Sequence, residues 1–152
     1  TMAVEGTTAF FKIADLEFST KLTDGQFPPY QAVIPKSQAH RVNVSRSALS
    51  DSLNAVRVAS GEKTGGVKLC FARDILRITS ESPEKGSGHD EIAVSYEGEE
   101  ATMGFNAKYL LDILGALDSH EVEIGFSGEL DPLTLRMPGS EEFTGVVMPM
   151  RV

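Results

Sequence analysis

The pattern DSLNAV (residues 51–56) followed by VKLCFARD (residues 67–74) recurs as DILGAL (residues 112–117) followed by VEIGFSGE (residues 122–129). Each copy predicts a D-x-L-x-A-aliphatic helix that leads into a V-x-aliphatic-x-F-small-x-acid strand, and the connecting loop is shorter in the second copy. A unit of this length that occurs twice is a supersecondary module. The sequence therefore predicts a fold built from two related halves.

Length and composition limit the class of protein. A chain of 152 residues with 41% hydrophobic content can bury a core as one domain, or as one domain plus a fragment. It contains no apolar run of about 18 residues and no secretory signal at its start, so we expect a cytoplasmic protein that does not cross a membrane. A start at Thr1 that leads directly into strand-like sequence suggests a piece of a longer polypeptide.

The single cysteine and the net charge carry further information. Cys70 lies in an apolar strand pattern, which fits a reducing compartment, excludes a disulfide framework and predicts a buried, unreactive thiol. The formal charge of −8 argues against a surface that binds nucleic acid everywhere, because each phosphate contact favours a Lys or Arg. A local basic strip remains possible.

The first 37 residues differ from the rest in their pattern. Residues 8–13 and 16–22 alternate apolar and polar around Ala14 and Asp15, which predicts a β-hairpin. The following Pro28 and Pro29 require extended backbone before them. Residues 36–39 have the composition of a linker.

The remaining residues give each half the order strand, helix and then three strands. We predict a helix capped by Ser45 or Ser47 in the first half and by Asn106 in the second. The predicted strands cover residues 41–44, 67–72, 75–81 and 91–96 in the first half, with a polar loop at 82–89, and 101–105, 122–126, 133–137 and 143–150 in the second.

Both helices have one apolar face. Leu49, Leu53 and Val56 share such a face in the first helix, and Leu110, Ile113, Leu114 and Leu117 do so in the second. A helix with one apolar stripe covers a sheet, so the two modules predict an α+β fold with two helices side by side on antiparallel strands.

The outward face of the first helix carries residues one turn apart without an acid among them: Arg46, Ser50, Asn54 and Arg57. Spacing alone favours an ordinary solvated helix face, with a DNA-binding face as the alternative.

Catalytic motifs are weak. The segment GEKTG at residues 61–65 follows a helix, whereas a phosphate-binding loop precedes one. Asp118, His120 and Glu121 cluster at a helix end, but a zinc site would need further ligands from elsewhere. No nucleophile motif is present, so we predict no catalytic residue, no metal and no cofactor; an α+β enzyme that uses this cluster is the weaker alternative.

The C-terminal stretch VVMPMRV (residues 146–152) is an apolar strand broken by a proline, which marks a sheet edge or a bulge. Two methionines at such an edge offer adaptable apolar contact area for a peptide. A plain core strand explains the pattern equally well.

Three stretches carry a resemblance to a known family. The ending VVMPMR with a final aliphatic residue, GFNAKYLLDILGAL at residues 104–117 and DGQFPPY at residues 24–30 resemble the bacterial DNA polymerase III β sliding clamp. The resemblance covers essentially the whole chain. It implies a DNA-clamp fold with the closing strands of the middle domain at residues 1–37 and the C-terminal clamp domain at residues 38–152.

The family forms head-to-tail homodimeric rings of six similar domains around duplex DNA, with helices inside and sheets outside. This resemblance favours DNA-facing positions at Arg46, Ser50, Asn54 and Arg57, because an acidic exterior can coexist with a mildly basic lining. It also implies a dimer interface at Val58 and Ala59, although residue identity is not kept there.

The family also has a pocket for short motifs of the type Gln-x-x-aliphatic-x-Phe. The resemblance places it at Pro28, Val33, Asn106, Tyr109, Leu130, Pro132, Val146, Val147, Met148, Pro149, Met150 and Arg151, of which Leu130 and Pro132 vary in type among relatives. Ala32 stands where some relatives carry Arg, and Pro29 replaces a common acid. The middle-domain residues that complete the pocket, and the first domain that closes the ring, are absent from this chain.

The resemblance implies a non-enzymatic processivity factor. Its partners would be double-stranded DNA, the DNA polymerase III catalytic subunit, the clamp loader and repair polymerases, with peptide antibiotics as further ligands of the pocket. The alternative is a stand-alone peptide-binding adaptor that never forms a ring.

Overall fold

The computed structural model describes residues 1–60 and 65–152. The segment GEKT at 61–64, which holds most of the phosphate-loop candidate, lies outside the described residues. The chain divides into two units, Thr1–Tyr30 and Gln31–Val152. The domain boundary expected after residue 37 stays a prediction.

The first unit is a three-stranded antiparallel sheet in the order β1-β2-β3, formed by Met2–Glu5, Thr8–Ile13 and Leu16–Lys21. The predicted hairpin is confirmed, and Ala14 makes its turn with a φ of 50°. The strand β1 was not identified from the sequence. Register places Met2, Phe11 and Phe18 in one row, so the sheet has an apolar face.

The second unit contains two modules of equal order. The first consists of β4 (His40–Ser45), α1 (Arg46–Val56), β5 (Gly66–Ala72), β6 (Ile75–Ser82) and β7 (Gly86–Ala93). The second consists of β8 (Ala101–Asn106), α2 (Ala107–Ala116), β9 (Glu121–Phe126), β10 (Leu133–Arg136) and β11 (Gly145–Val147). A short 3-10 helix, Arg57–Ala59, continues α1. The predicted β-α-β-β-β repeat is confirmed.

The two modules exchange their first strands. One sheet has the order β11-β10-β9-β4 and the other β7-β6-β5-β8, so each opening strand joins the other module's sheet. Even the register repeats, since Val42 pairs with Ile124 and Met103 pairs with Leu69. Neither sheet is complete until both modules have formed.

The helices begin at the predicted caps. The Ser45 hydroxyl accepts a hydrogen bond from the Ala48 amide at 3.4 Å, and the Asn106 side chain accepts one from the Lys108 amide at 2.9 Å. The two helices contact each other. Their predicted inward faces are buried at Leu49, Leu53, Val56, Leu110, Leu114 and Leu117, while Ile113 is half-buried.

An aromatic cluster joins the two sheets. Phe71 of β5 and Phe126 of β9 occupy equivalent positions in the repeat, and their rings stack with centroids 4.4 Å apart. Both are fully buried. Tyr96 and His40 pack around Phe126 at 5.9 and 5.2 Å, and burial raises the pKa of Tyr96.

The structure corrects the sequence analysis around β7. The predicted loop at 82–89 contains the start of a strand, because β6 and β7 form a hairpin that pairs Ser82 with Gly86 and Thr79 with His89. The predicted strand at 91–96 ends at Ala93. Most residues of β7 are exposed, so its sequence lacks the alternation that marks a half-buried strand.

Two further expectations are wrong in detail. The last strand was predicted at 143–150 but covers Gly145–Val147, beyond which Pro149 offers no amide for a ladder. Cys70 is half-buried and not buried, because it lies on the outer face of β5, where its thiol donates to Glu100 at 3.8 Å. Among the described residues, no helix is long and apolar enough to cross a membrane.

We predict that Phe71→Ala lowers the free energy of unfolding by about 3–5 kcal/mol, since it removes a buried ring and leaves a cavity against Phe126. Urea denaturation followed by circular dichroism measures the change. Phe27→Ala is the matched control, because the Phe27 side chain is 77% exposed. Equal losses in the two variants would contradict a central role for the stack.

Candidate functional site

An apolar groove of about 490 Å³ opens on the second unit. Its walls come from the segment before β4, the loop between β9 and β10, and the start of the C-terminal tail. The lining residues are Ala32, Val33, Ile34, Pro35, Ser37, Gln38, Ser127, Asp131, Pro132 and Met148.

Hydrogen bonds to the sheet fix the wall before β4. The Gln38 side chain donates to Thr134 Oγ1 at 3.3 Å, and its carbonyl oxygen accepts from the Ser127 hydroxyl at 3.4 Å. The Ala39 amide donates to the same hydroxyl at 3.0 Å. Gly125 lets this segment lie close, since an added Cβ there would be 2.9 Å from Gln38 Cγ. The polar contacts hold the segment while its apolar side chains stay free for a ligand.

Large apolar side chains are exposed in this groove. Val33 is 45% exposed and Met148 is 58% exposed, whereas Val147 next to Met148 is buried in β11. Exposed aliphatic and thioether groups that surround a concave surface are typical of a binding site.

The structure brings together only part of the predicted pocket. Val33, Pro132 and Met148 line the groove, and Leu130 is exposed in the adjoining loop. Val146 and Val147 belong to β11, while Pro149 and Met150 are half-buried and Arg151 is exposed in the tail that follows. Pro28 belongs to the first unit, where it is exposed.

Sequence analysis missed several groove residues, namely Ile34, Pro35, Ser37, Gln38, Ser127 and Asp131. The signal available was the apolar run Val33-Ile34-Pro35 directly before a strand. That run was assigned to the end of the leading segment, and the loop at 127–131 gave no pattern.

Asn106 and Tyr109 are placed at the start of α2. Asn106 lines a second cleft, of about 320 Å³, together with Arg57, Val58, Ser60, Gly65, Lys85, Ala107 and Lys108. Lys108 donates to Asp112 at 2.6 Å, and this hydrogen bond raises the pKa of Lys108. The predicted interface residue Val58 is therefore in a cleft with basic walls, 71% exposed, and Ala59 beside it is half-buried.

The four residues of the predicted DNA-facing stripe differ in their surroundings. Arg46 is half-buried, and its guanidinium donates to the carbonyl oxygens of Ser119 at 2.7 Å and Leu114 at 3.3 Å. It thus satisfies carbonyl groups at the end of α2. Ser50 is half-buried and accepts a hydrogen bond from Asn54 through its carbonyl oxygen at 2.9 Å. Asn54 and Arg57 are exposed.

The cluster considered for catalysis has a structural role in its backbone. The His120 carbonyl oxygen accepts from the Arg46 amide at 2.9 Å, and the side chains of Asp118, His120 and Glu121 are exposed. Across residues 1–60 and 65–152, no three His, Cys, Asp or Glu side chains form a group that could hold a metal ion.

Comparison with known proteins identifies the family. The family model described as DNA polymerase III beta subunit, C-terminal domain, matches residues 31–151. The beta sliding clamp of Pseudomonas putida is 36% identical over 138 residues, which is 91% of this chain and 38% of that protein. That of Escherichia coli K12 is 32% identical over 140 residues, or 92% of this chain and 38% of that protein. The chain thus spans about 38% of the length of these relatives.

Solved structures agree with the sequence matches. A sliding clamp from Bartonella birtlesii bound to griselimycin superposes with a TM-score of 0.91 and 34% identity, covering 99% of this chain and 41% of that one. A clamp from Pseudomonas aeruginosa with ligand gives a TM-score of 0.90 and 28% identity, again covering 99% and 41%. The predicted clamp fold and the resemblance are confirmed. The chain belongs to the DNA polymerase III beta subunit family, the sliding clamps, and contains the C-terminal domain of that family.

Proposed function

We propose that this chain is the C-terminal part of a DNA sliding clamp whose full-length parent forms a homodimeric ring around duplex DNA in the cytoplasm. The ring tethers the polymerase III catalytic subunit, the clamp loader and repair polymerases to DNA, and it works without a cofactor or bond-making chemistry. The observation that carries the proposal is the exposed apolar groove beside Met148.

The groove suits a short linear motif. Aliphatic and aromatic side chains of a partner would gain about 25 cal/mol for each Å² of apolar surface that they remove from water against Val33, Ile34 and Met148. Gln38 and Asp131 at the edge supply polar groups for the motif's glutamine or backbone. Its volume of about 490 Å³ lies in the usual range for ligand sites.

Related structures support ligand binding at clamps. The Bartonella birtlesii clamp was solved bound to griselimycin, and a C. crescentus clamp was solved with PEG bound to a beta-motif tethering region. We extend such binding to this groove, with griselimycin as a candidate ligand.

The helix layer supports a DNA-facing role. The exposed Arg57 and Asn54 lie on one side of α1, and contact with phosphate or water there needs no base recognition. Arg46 uses two of its donors at the end of α2, so Arg57 is the stronger candidate for phosphate contact. The exposed Val58 at the end of α1 suits contact with a second subunit.

We predict that Met148→Ala weakens binding of a fluorescent Gln-Leu-x-Leu-Phe peptide by about 1 kcal/mol or more, which is about fivefold in Kd. Fluorescence anisotropy measures the affinity. Val58→Ala trims another exposed apolar side chain that does not line the groove, and it should bind as the unmodified chain does. Unchanged affinity for Met148→Ala would place the peptide site elsewhere.

In the full-length parent, we predict that Arg57→Ala reduces the magnitude of the slope of log affinity for duplex DNA against log salt by about 0.9, the value for one lost phosphate contact. Arg73→Ala is the matched control, since its side chain is 81% exposed in the turn between β5 and β6. Equal slopes for the parent and Arg57→Ala would remove Arg57 from the DNA face.

We predict that the full-length parent has twice its monomer mass at micromolar concentration and that Val58→Asp shifts it toward the monomer, because burying an unpaired carboxylate is costly. Analytical ultracentrifugation gives the mass. Ser47→Asp places the same charge on an exposed residue of α1 as the control. A monomeric parent would contradict the ring and favour the stand-alone peptide-binding adaptor.

A further inference from the structure

The C-terminal tail connects the two sheets of the second unit. It leaves the first sheet after β11, where Val147 pairs with Leu133, and reaches β8 of the other sheet. There the Met150 amide donates to the Gly104 carbonyl oxygen at 2.8 Å. The tail is therefore attached at Val147 and again at Met150, with Met148 between them.

The last residue of the sequence lies over two glycines. Gly66 of β5 and Gly104 of β8 are diagonal neighbours on the outer face, because Gly66 pairs with Asn106 and Lys68 pairs with Gly104. A Cβ added at Gly66 would overlap Val152 Cγ1, and one added at Gly104 would overlap Val152 Cγ2 and the Met150 carbonyl oxygen. The methyl groups of Val152 fill the space that side chains would otherwise occupy.

The internal repeat supplies a comparison within the same chain. The positions equivalent to Gly66 and Gly104 in the other module are Glu121 and Asn43, which carry full side chains. Neither glycine of the pair has a positive φ, so backbone conformation does not require glycine at these two positions. The close approach of the tail accounts for them.

We propose that Gly66 and Gly104 form a seat for Val152, and that this seat positions the tail so that Met148 stands ready at the groove. This inference rests on the proposed function, since it assigns positioning residues to the same peptide site. Ordering one residue costs about 1–2 kcal/mol of backbone entropy, and a tail held at both ends has met that cost before a partner arrives.

A double-mutant cycle tests the seat. Gly66→Ala should displace Val152 and weaken the Gln-Leu-x-Leu-Phe peptide about fivefold, and Val152→Ala should weaken it less. In the double variant, the Val152 Cγ1 that the new methyl group at position 66 would meet is gone, and Val152 Cβ lies 3.7 Å from that methyl group, an ordinary contact. The double variant should therefore bind as Val152→Ala does.

Gly115→Ala is the matched control, because an added Cβ there meets nothing within 4 Å. It should leave affinity unchanged. Val152→Ala leaves β5 intact, so the test survives if Gly66→Ala fails to fold.

A second readout separates the seat from the proposed function. With ¹³C-methyl methionine, the Met148 and Met150 NMR signals should shift in Gly66→Ala and return in the double variant, with or without peptide. If the unmodified chain binds no peptide, the proposed function fails while the methyl signals still report the seat. Methyl shifts without any change in affinity would overturn the positioning role. Methyl signals that do not move, or a double variant as weak as Gly66→Ala, would overturn the seat.

Discussion

The stack of Phe71 on Phe126 is the contact on which the second unit depends. The two rings occupy the same position in the two copies of the repeat, and their centroids are 4.4 Å apart. Because β4 and β8 each complete the other module's sheet, the rings meet only when both copies are in place. Strand exchange and the stack thus enforce one arrangement, in which α1 and α2 lie together and cover the same core.

That arrangement separates the demands on the surface. Arg46 shows how a helix face that looks basic in the sequence is partly committed to the fold, since its guanidinium satisfies the end of α2. On the described part of this face, Arg57 is the exposed cation, in a chain whose net charge is −8. Such a face suits loose phosphate contact, which fits a protein that must slide and not stop at a sequence.

Sequence predicted the core more completely than it predicted the groove. Apolar periodicity located both helices, and Ser45 and Asn106 were identified as caps because capping is a local rule. The strand β7 escaped because both of its faces are mostly exposed, which removes alternation. The groove residues followed from family resemblance and not from pattern, and Gln38 was missed because its partners Ser127 and Thr134 are distant in sequence.

The position of Val152 illustrates why such features escape a local analysis. A glycine in a strand usually predicts a bulge or a weak point, but the reason for Gly104 lies at the other end of its module. The same contact explains how a tail with a single strand of three residues before it can carry an exposed methionine in a defined place. The groove is complete within Gln31–Val152 as the structure describes it, so peptide binding can be examined in this chain, whereas enclosure of DNA requires the remainder of a parent of which this chain is about 38% by relatives' length.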